Sequence, residues 1–137
     1  MNLDKLSGKN ILVVGDVMLD RKIDGEVNRI SPEAPVPLLR IKKESFELGG
    51  ASNVAKNIIG LGSDVVLAGV IGNDNYGKII SDLAKEEKID FVFIEDRKTT
   101  TVKTRYYSGN HYLFRTDDEV HDKISEDTEE LIIESVK

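Results

Sequence analysis

The sequence predicts an α/β fold built on a mainly parallel central sheet. Residues 10–18 (NILVVGDVM) and 64–72 (DVVLAGVIG) are short apolar runs of the kind found in strands buried on both faces. Helical patterns at residues 51–61 and 75–88 alternate with these runs and with a third short strand at residues 91–94. This alternation is the βαβ pattern of a parallel sheet, in which we expect the first run to be a central strand.

Residues 21–47 differ in character from the first strand. Charged and apolar residues alternate in RKIDGEVNRI and again in PLLRIKKESF, as expected of strands with one face in water. All three prolines of the chain lie between these stretches, in SPEAPVP at residues 31–37. We therefore expect two amphipathic strands joined by a stiff connector, because proline fixes φ and donates no backbone hydrogen bond.

The helix at residues 51–61 has an apolar face with the spacing i, i+3, i+4, i+7, which marks packing against a sheet. This face comprises Ala51, Val54, Ala55 and Ile58. The residues off this face are Asn53, Lys56, Asn57 and Gly60. The sequence thus predicts a helix with one buried side and one polar side.

Two glycines, Gly49 and Gly50, directly precede this helix. Glycine tolerates positive φ and has no Cβ to keep a ligand away from the backbone. The free N–H groups of the first helical turn, the helix dipole and the Asn53 amide can then bind hydroxyl or anionic oxygens. A tight strand-to-helix turn with Asn53 merely solvated is the alternative interpretation.

The C-terminal third predicts a hairpin followed by a helix. TTTVKTRYY and HYLFRT flank residues 108–110, a short turn that contains Gly109. Tyr106, Tyr107, Tyr112 and Phe114 are expected to pack across the two strands. The stretch SEDTEELIIESV opens with a serine suited to an N-cap, followed by acidic residues that suit a helix start.

Two carboxylates follow the first strand, Asp16 and Asp20 of GDVMLD. Open α/β sheets bind ligands at the carboxyl edge of the strands, and carboxylates there accept strong hydrogen bonds from sugar hydroxyls. The alternative is that Asp16 caps a turn and Asp20 faces water. Together with the Gly49–Gly50 turn, these acids predict a site for a polyhydroxylated ligand.

Residues 72–79 (GNDNYGKI) match the phosphate-loop pattern G-x-x-x-x-G-K but not its last position. Ile79 has no hydroxyl for Mg²⁺, and the acidic Asp74 would repel phosphates. We therefore interpret this segment as a structural turn. His111 and His121 are the only histidines and have no third ligand pattern beside them, so we expect no metal site.

Lys103, Arg105 and Tyr107 alternate along one strand, so their side chains share a face. An arginine suits bidentate binding of phosphate, which makes Arg105 a candidate ligand for a sugar phosphate. An exposed charged face is the alternative, and we favour it for Lys103.

Composition limits the class of protein. A chain of 137 residues fits about one domain, and 39% hydrophobic with 32% charged residues is ordinary for a globular protein. The chain has no cysteine, no apolar run of transmembrane length and no secretory signal, so we expect a cytoplasmic protein. A net charge of −6 argues against nucleic acid or an anionic membrane as the main partner.

Four segments together resemble one family. GDVMLD at 15–20, RISPEAPVP at 29–37, LGGASNVAKN at 48–57 and TTVKTRYYSGNHYLFRTDDE at 100–119 closely resemble the ribokinase-like (PfkB) sugar kinases. Within that family they are most similar to the heptose 7-phosphate kinase branch. The similarity covers almost the whole chain, so the fold it implies is the N-terminal half of a ribokinase-like three-layer fold with a small β-lid.

The resemblance implies roles for particular residues. It makes Asp16, Asp20, Gly49, Gly50 and Asn53 sugar contacts, and it assigns the segments at about 21–47 and 100–116 to a lid that closes over the sugar. Many of these kinases place three residues between the second glycine and the asparagine, whereas here only Ala51 and Ser52 intervene. The heptose kinase branch has this shorter form.

One departure from the family is larger. The family's catalytic aspartate ends a Gly-rich turn in the second half of longer chains, and this chain has no glycine after Gly109. We therefore expect residues 1–137 to be the N-terminal part of a kinase domain, with the sugar site and lid but without the catalytic base or most of the ATP surface.

The expected activity belongs to the intact enzyme. It would use ATP and Mg²⁺ to transfer the γ-phosphoryl group to the anomeric hydroxyl of heptose 7-phosphate, giving heptose 1,7-bisphosphate. The expected partner is a phosphorylated sugar, with homo-oligomerisation through the lid. A non-catalytic binding or oligomerisation module is the main alternative, and a P-loop nucleotide binder is a second.

Overall fold

The computed structural model of the chain describes residues 7–97 and 99–137. These residues alternate strands and helices as the sequence predicts, which confirms the α/β class. In chain order the elements are β1 (Asn10–Val14), β2 (Val17–Ile30), β3 (Pro37–Gly50), α1 (Ala51–Gly60), β4 (Asp64–Gly72), α2 (Asn75–Glu86), β5 (Asp90–Arg97), β6 (Val102–Ser108), β7 (His111–Asp118) and α3 (Glu126–Ser135).

The inner sheet is parallel and has the order β1-β4-β5 in the described part of the chain. Leu12 pairs with Val66 and Leu67 with Phe91, so all three strands run in one direction. The prediction of a mainly parallel sheet is confirmed. The prediction that the first strand is central and buried on both faces is wrong, because β4 holds the central place and Leu12 and Val14 are 46% and 57% exposed.

The outer sheet has the order β3-β2-β6-β7. Strand β2 is antiparallel to β3 and parallel to β6, and β6 is antiparallel to β7. The two segments with alternating charged and apolar residues therefore form one sheet. The boundaries of these two strands differ from the predicted ones, since β2 begins at Val17 and β3 continues to Gly50. The chain passes from the inner to the outer sheet at Gly15 and Asp16, between β1 and β2.

The core lies where helices α1 and α2 pack between the two sheets. Leu19 of the outer sheet, Leu67 of the inner sheet and Ile80 of α2 are fully buried in one cluster. Helix α3 packs on the opposite face of the inner sheet, where Ile132 lies beside Val70. Helices α1 and α2, the inner sheet and helix α3 are the three layers of the predicted fold class, and the outer sheet covers α1 and α2.

The packed face of α1 differs in part from the predicted one. Ala55 is fully buried, but Val54 is 50% exposed and Ser52 is fully buried in its place. A serine can be buried here because its hydroxyl donates to the Gly49 carbonyl at 2.6 Å. The predicted polar positions, such as Asn53 and Asn57, are exposed.

The other helix and turn predictions agree with the structure. Ser125 caps α3, since its side chain accepts a hydrogen bond from the Thr128 amide at 3.2 Å. Gly109 lies in the β6–β7 turn with φ 57°, which explains a glycine at that point. Among residues 7–97 and 99–137, no helix combines the length and apolar character needed to cross a bilayer.

Candidate functional site

The entrance to α1 requires its two glycines for packing within the protein. Gly50 has φ 56° and ψ −131°, and a Cβ there would lie 2.5 Å from the Asp16 carbonyl oxygen. The Ala51 amide donates to that same carbonyl at 2.9 Å. The space that a Gly50 Cβ would fill is thus occupied by the backbone of Asp16. The turn fixes Asp16 against the start of the helix.

Asp20 lies against the same turn. A Cβ on Gly49 would come within 2.7 Å of Asp20 Oδ2, so only glycine leaves room for this carboxylate. The sequence predicted Asp20 at or just past the carboxyl end of a central strand. This prediction is wrong, because Asp20 lies within β2 of the outer sheet. Its side chain is 30% exposed, so it is open to a ligand.

Arg105 of β6 completes this group. Its Nη1 donates to Asp20 Oδ1 at 2.5 Å, across two neighbouring parallel strands. The hydrogen bond that Arg105 donates to Asp20 raises the pKa of Arg105 above its ordinary value, although partial burial opposes this shift. The guanidinium therefore stays charged and is 34% exposed, with further N–H donors beyond the one that Asp20 accepts.

The N-terminus of α1 has no side-chain cap and no acidic residue in its first turn. Helices α2 and α3 differ, since Asp74 and Ser125 cap them. The first turn of α1 therefore presents amide N–H groups and the positive end of the helix dipole. Asn53 lies in this turn and is exposed.

Asp16 lines a cavity with a volume of about 510 Å³. The cavity lies beside the passage from β1 to β2. Its walls are formed by Asp16, Met18, Thr101, Glu119, Val120, His121, Asp122, Lys123, Ile124 and Glu129. The structure therefore places Asp16, Asp20, Gly49, Gly50, Asn53 and Arg105 around one helix entrance, and Asp16 also lines the cavity.

The loop that matches the phosphate-loop pattern is a structural cap. Asp74 accepts hydrogen bonds from the Gly77 amide at 2.8 Å, the Thr100 amide at 2.7 Å and the Thr100 hydroxyl at 2.8 Å. Burial would raise the pKa of Asp74, but these hydrogen bonds outweigh burial and lower it below its ordinary value. Asp74 is thus the N-cap of α2, in agreement with the interpretation of this segment as a structural turn.

The shared face of Lys103, Arg105 and Tyr107 is confirmed by strand register. Lys103 pairs with Asp20 and Arg105 with Lys22. The ammonium of Lys22, which the sequence analysis did not single out, lies 4.9 Å from the centre of the Tyr107 ring. Successive side chains of a strand point to opposite faces, so Lys22 shares a face with Asp20, two residues before it. This spacing was the signal in the sequence that could have identified Lys22.

Aromatic side chains pack across the hairpin as predicted. The rings of Tyr106 and Phe114 stack with their centres 4.4 Å apart, and those of Tyr107 and Tyr112 lie 5.3 Å apart. Within the described ranges, no group of three or more histidine, cysteine or acidic side chains could hold a metal ion.

Comparison with known sequences places this site in context. The family described as pfkB family carbohydrate kinase matches residues 9–137. The bifunctional protein HldE of Caulobacter sp. (strain K31) is 50% identical over 115 residues, which are 82% of this chain and 24% of the relative. The D-beta-D-heptose 7-phosphate kinase of Bordetella bronchiseptica is 45% identical over 119 residues, or 86% of this chain and 38% of that one. The chain thus spans about a quarter to two fifths of these relatives.

Solved structures support the same fold. Phosphofructokinase-2 of Escherichia coli, in complex with fructose-6-phosphate, superposes with a TM-score of 0.68 at 21% identity over 95% of this chain and 41% of that chain. A carbohydrate kinase from Agrobacterium tumefaciens gives a TM-score of 0.65 at 24% identity over 80% of this chain and 35% of that one. At these identities the likeness concerns the fold alone.

Proposed function

The chain belongs to the pfkB family of carbohydrate kinases, and on this premise we propose that it forms the sugar-binding part of an ATP-dependent heptose 7-phosphate kinase. The relatives named as HldE and as heptose 7-phosphate kinase support the choice of sugar. Because the chain spans only part of these relatives, phosphoryl transfer is proposed for a longer enzyme that contains this sequence.

One observation carries the proposal. The Asp20 carboxylate lies against Gly49 at the uncapped start of α1 and remains partly exposed. In this position Asp20 accepts hydrogen bonds from sugar hydroxyls, while the amides of the first helical turn donate to sugar oxygens. Asn53 can do both, because its amide has an acceptor oxygen and two donor hydrogens. Asp16 binds hydroxyls from the cavity side.

The outer sheet is proposed to act as the lid. Its polar face carries Asp20 and Arg105, so the surface that would cover a sugar also holds groups that bind it. Excluding water protects the transferred phosphoryl group from hydrolysis and strengthens the electrostatic interactions with the substrate.

In the reaction, the anomeric oxygen of the sugar forms a bond to the γ-phosphorus of ATP. The bond to the bridging oxygen breaks, ADP leaves with that electron pair, and a base takes the hydroxyl proton. Mg²⁺ would neutralise charge on the phosphates. We assign neither the base nor a metal ligand to this chain, because it spans only part of its relatives' length. Its own residues orient the sugar and keep water away.

Replacing a sugar contact tests this role. In a longer enzyme with this N-terminal part, we expect Asp20→Ala or Asn53→Ala to raise the KM for the sugar phosphate roughly 10-fold or more, because a hydrogen bond to a charged or helix-end group is lost. The KM for ATP should change by less than about twofold. Asn57→Ala, one turn further along the exposed side of α1, is the matched control. Equal effects on both KM values, or none, would remove these residues from the sugar site.

Association of two copies through the outer sheet is a further part of the proposal. Ile30, Ile41 and Phe114 are each about half exposed or more on this sheet, and such apolar surface favours contact with a partner. This observation also supports the alternative of a non-catalytic oligomerisation module. The net charge of −6 supports a partner other than nucleic acid or an anionic membrane, and we propose a cytoplasmic location.

A further inference from the structure

We propose that Glu119 is an additional sugar-binding residue and that Lys103 holds it in position. This inference rests on the proposed sugar site and extends it to the far wall of the cavity. Neither residue stood out in the sequence as a ligand, because Glu119 follows the last strand of the outer sheet and Lys103 lies in a charged strand.

Glu119 lines the same cavity as Asp16, one of the predicted sugar contacts. Glu119 and Asp16 line the same space of about 510 Å³, together with Met18 and Thr101. The Glu119 side chain is 29% exposed, so its carboxylate is accessible without lying free in solvent. A sugar that contacts Asp16 from inside this cavity therefore comes within reach of Glu119.

Lys103 restrains the orientation of Glu119. Its Nζ lies 3.7 Å from Glu119 Oε2 and 3.8 Å from Asp117 Oδ2, so one ammonium serves two carboxylates. On the other side of Glu119, His121 Nε2 lies 3.4 Å from Oε1. Ion pairs of this exposure stabilise a fold little, so their main effect is to fix where the carboxylate points. Lys103 is thus a positioning residue.

Strand register links this group to Asp20. Lys103 pairs with Asp20 on one side and with Asp117 on the other, which places all three on the same face of the outer sheet. A line of polar groups therefore runs across the sheet from the α1 entrance to Glu119. The sugar site has two walls, and Glu119 belongs to the second.

The charges also orient a phosphorylated sugar. Four carboxylates, from Asp16, Glu119, Asp122 and Glu129, line the cavity against one ammonium from Lys123. This wall accepts hydroxyl groups and repels a phosphate. Lys22 pairs with Arg105 on the neighbouring strand. This pair lies two residues beyond Asp20 on the same face of the sheet, roughly 7 Å further along the strands. We therefore place the hydroxyl end in the cavity and the phosphate towards Lys22 and Arg105.

Calorimetric titration of the 137-residue chain with two probes tests the inference. For D-beta-D-heptose 7-phosphate, we expect Glu119→Gln to weaken binding roughly 10-fold, because a charged acceptor becomes a neutral one. The same variant should bind inorganic phosphate as tightly as the unmodified chain does, or more tightly. Asp118→Asn, an exposed change at the adjacent position, is the matched control and should leave both affinities unchanged.

Lys103 variants separate positioning from simple charge or stability effects. We expect Lys103→Met to weaken sugar binding and Lys103→Arg to restore most of it, since arginine can also bridge Asp117 and Glu119. Unchanged sugar affinity in Glu119→Gln would overturn the inference while leaving the proposed function standing. Equal loss of both probes would also overturn it. If the unmodified chain does not bind the sugar, the proposed function fails and this inference with it.

Discussion

Replacing Gly50 by alanine should lower the free energy of unfolding by about 2–4 kcal/mol, because strain in the backbone and a steric clash add. The residue has φ 56° and ψ −131°, a region that side chains with a Cβ avoid. The new methyl group would lie 2.5 Å from the Asp16 carbonyl oxygen and 2.8 Å from the Met18 methyl. Urea unfolding followed by circular dichroism measures the loss.

Gly60→Ala is the control for this prediction. Gly60 lies at the other end of the same helix, and a Cβ there would meet nothing within 4 Å. Its replacement should leave stability unchanged or raise it by up to about 1 kcal/mol, as alanine favours helix. A Gly50→Ala protein as stable as Gly60→Ala would show that the α1 entrance does not have the described conformation.

Asp74→Ala should also cost about 2–4 kcal/mol of unfolding free energy, by a different mechanism. The N-cap of α2 is lost, which costs about 1 kcal/mol, and two donors of Thr100 lose their acceptor. Thr100 is only 1% exposed, so water cannot easily replace the carboxylate. Lys78→Ala, on the exposed side of the same helix, should be neutral in the same unfolding experiment. Equal stability of the two variants would contradict the assigned role of Asp74.

The pH dependence of stability follows from the lowered pKa of Asp74. The unfolded chain has the ordinary value of about 3.9, and the folded chain a lower one. The stabilisation is therefore complete above the unfolded value and is lost as the pH falls through the folded value. Asp74→Asn should accordingly show a shallower loss of stability on acidification than the unmodified chain.

The sequence predicted helices and strands best where a whole segment lies in a single environment, such as the interior of one sheet. Strand β4 was predicted with its observed boundaries, because its apolar run is bounded by Asp64 and Gly72. The run at residues 10–18 was misinterpreted as one strand because β1 and β2 follow each other with only Gly15 and Asp16 between them. Hydrophobicity alone does not show that the chain changes sheets at this point.

Local sequence patterns also failed to predict features that depend on residues far apart in the chain, such as the burial of a side chain or its partner. The exposure of Val54 and the burial of Ser52 follow from how α1 sits on the sheets, which helical spacing does not specify. The pairing of Asp20 with Arg105 joins residues far apart in the chain. The alternation of Lys103, Arg105 and Tyr107 gave their common face but not the carboxylates they meet.

Many residues of the candidate site could nonetheless be predicted from the sequence. Glycines before a helix, acids after a strand and an asparagine in the first helical turn are local signals, and the structure brings their residues to one entrance. The sequence did not show that the missing Cβ atoms of these glycines also make room for Asp16 and Asp20.

Titration of the isotope-labelled chain with D-beta-D-heptose 7-phosphate, followed by amide NMR, tests whether the α1 entrance binds the sugar. We expect saturable shifts of the Gly49, Gly50 and Asn53 amides and of the Asp16 amide, and we expect Asp20→Ala to weaken the response. Saturable shifts confined to the Asp74 loop or to the far end of α2, or no response of the α1 entrance at any sugar concentration, would contradict it.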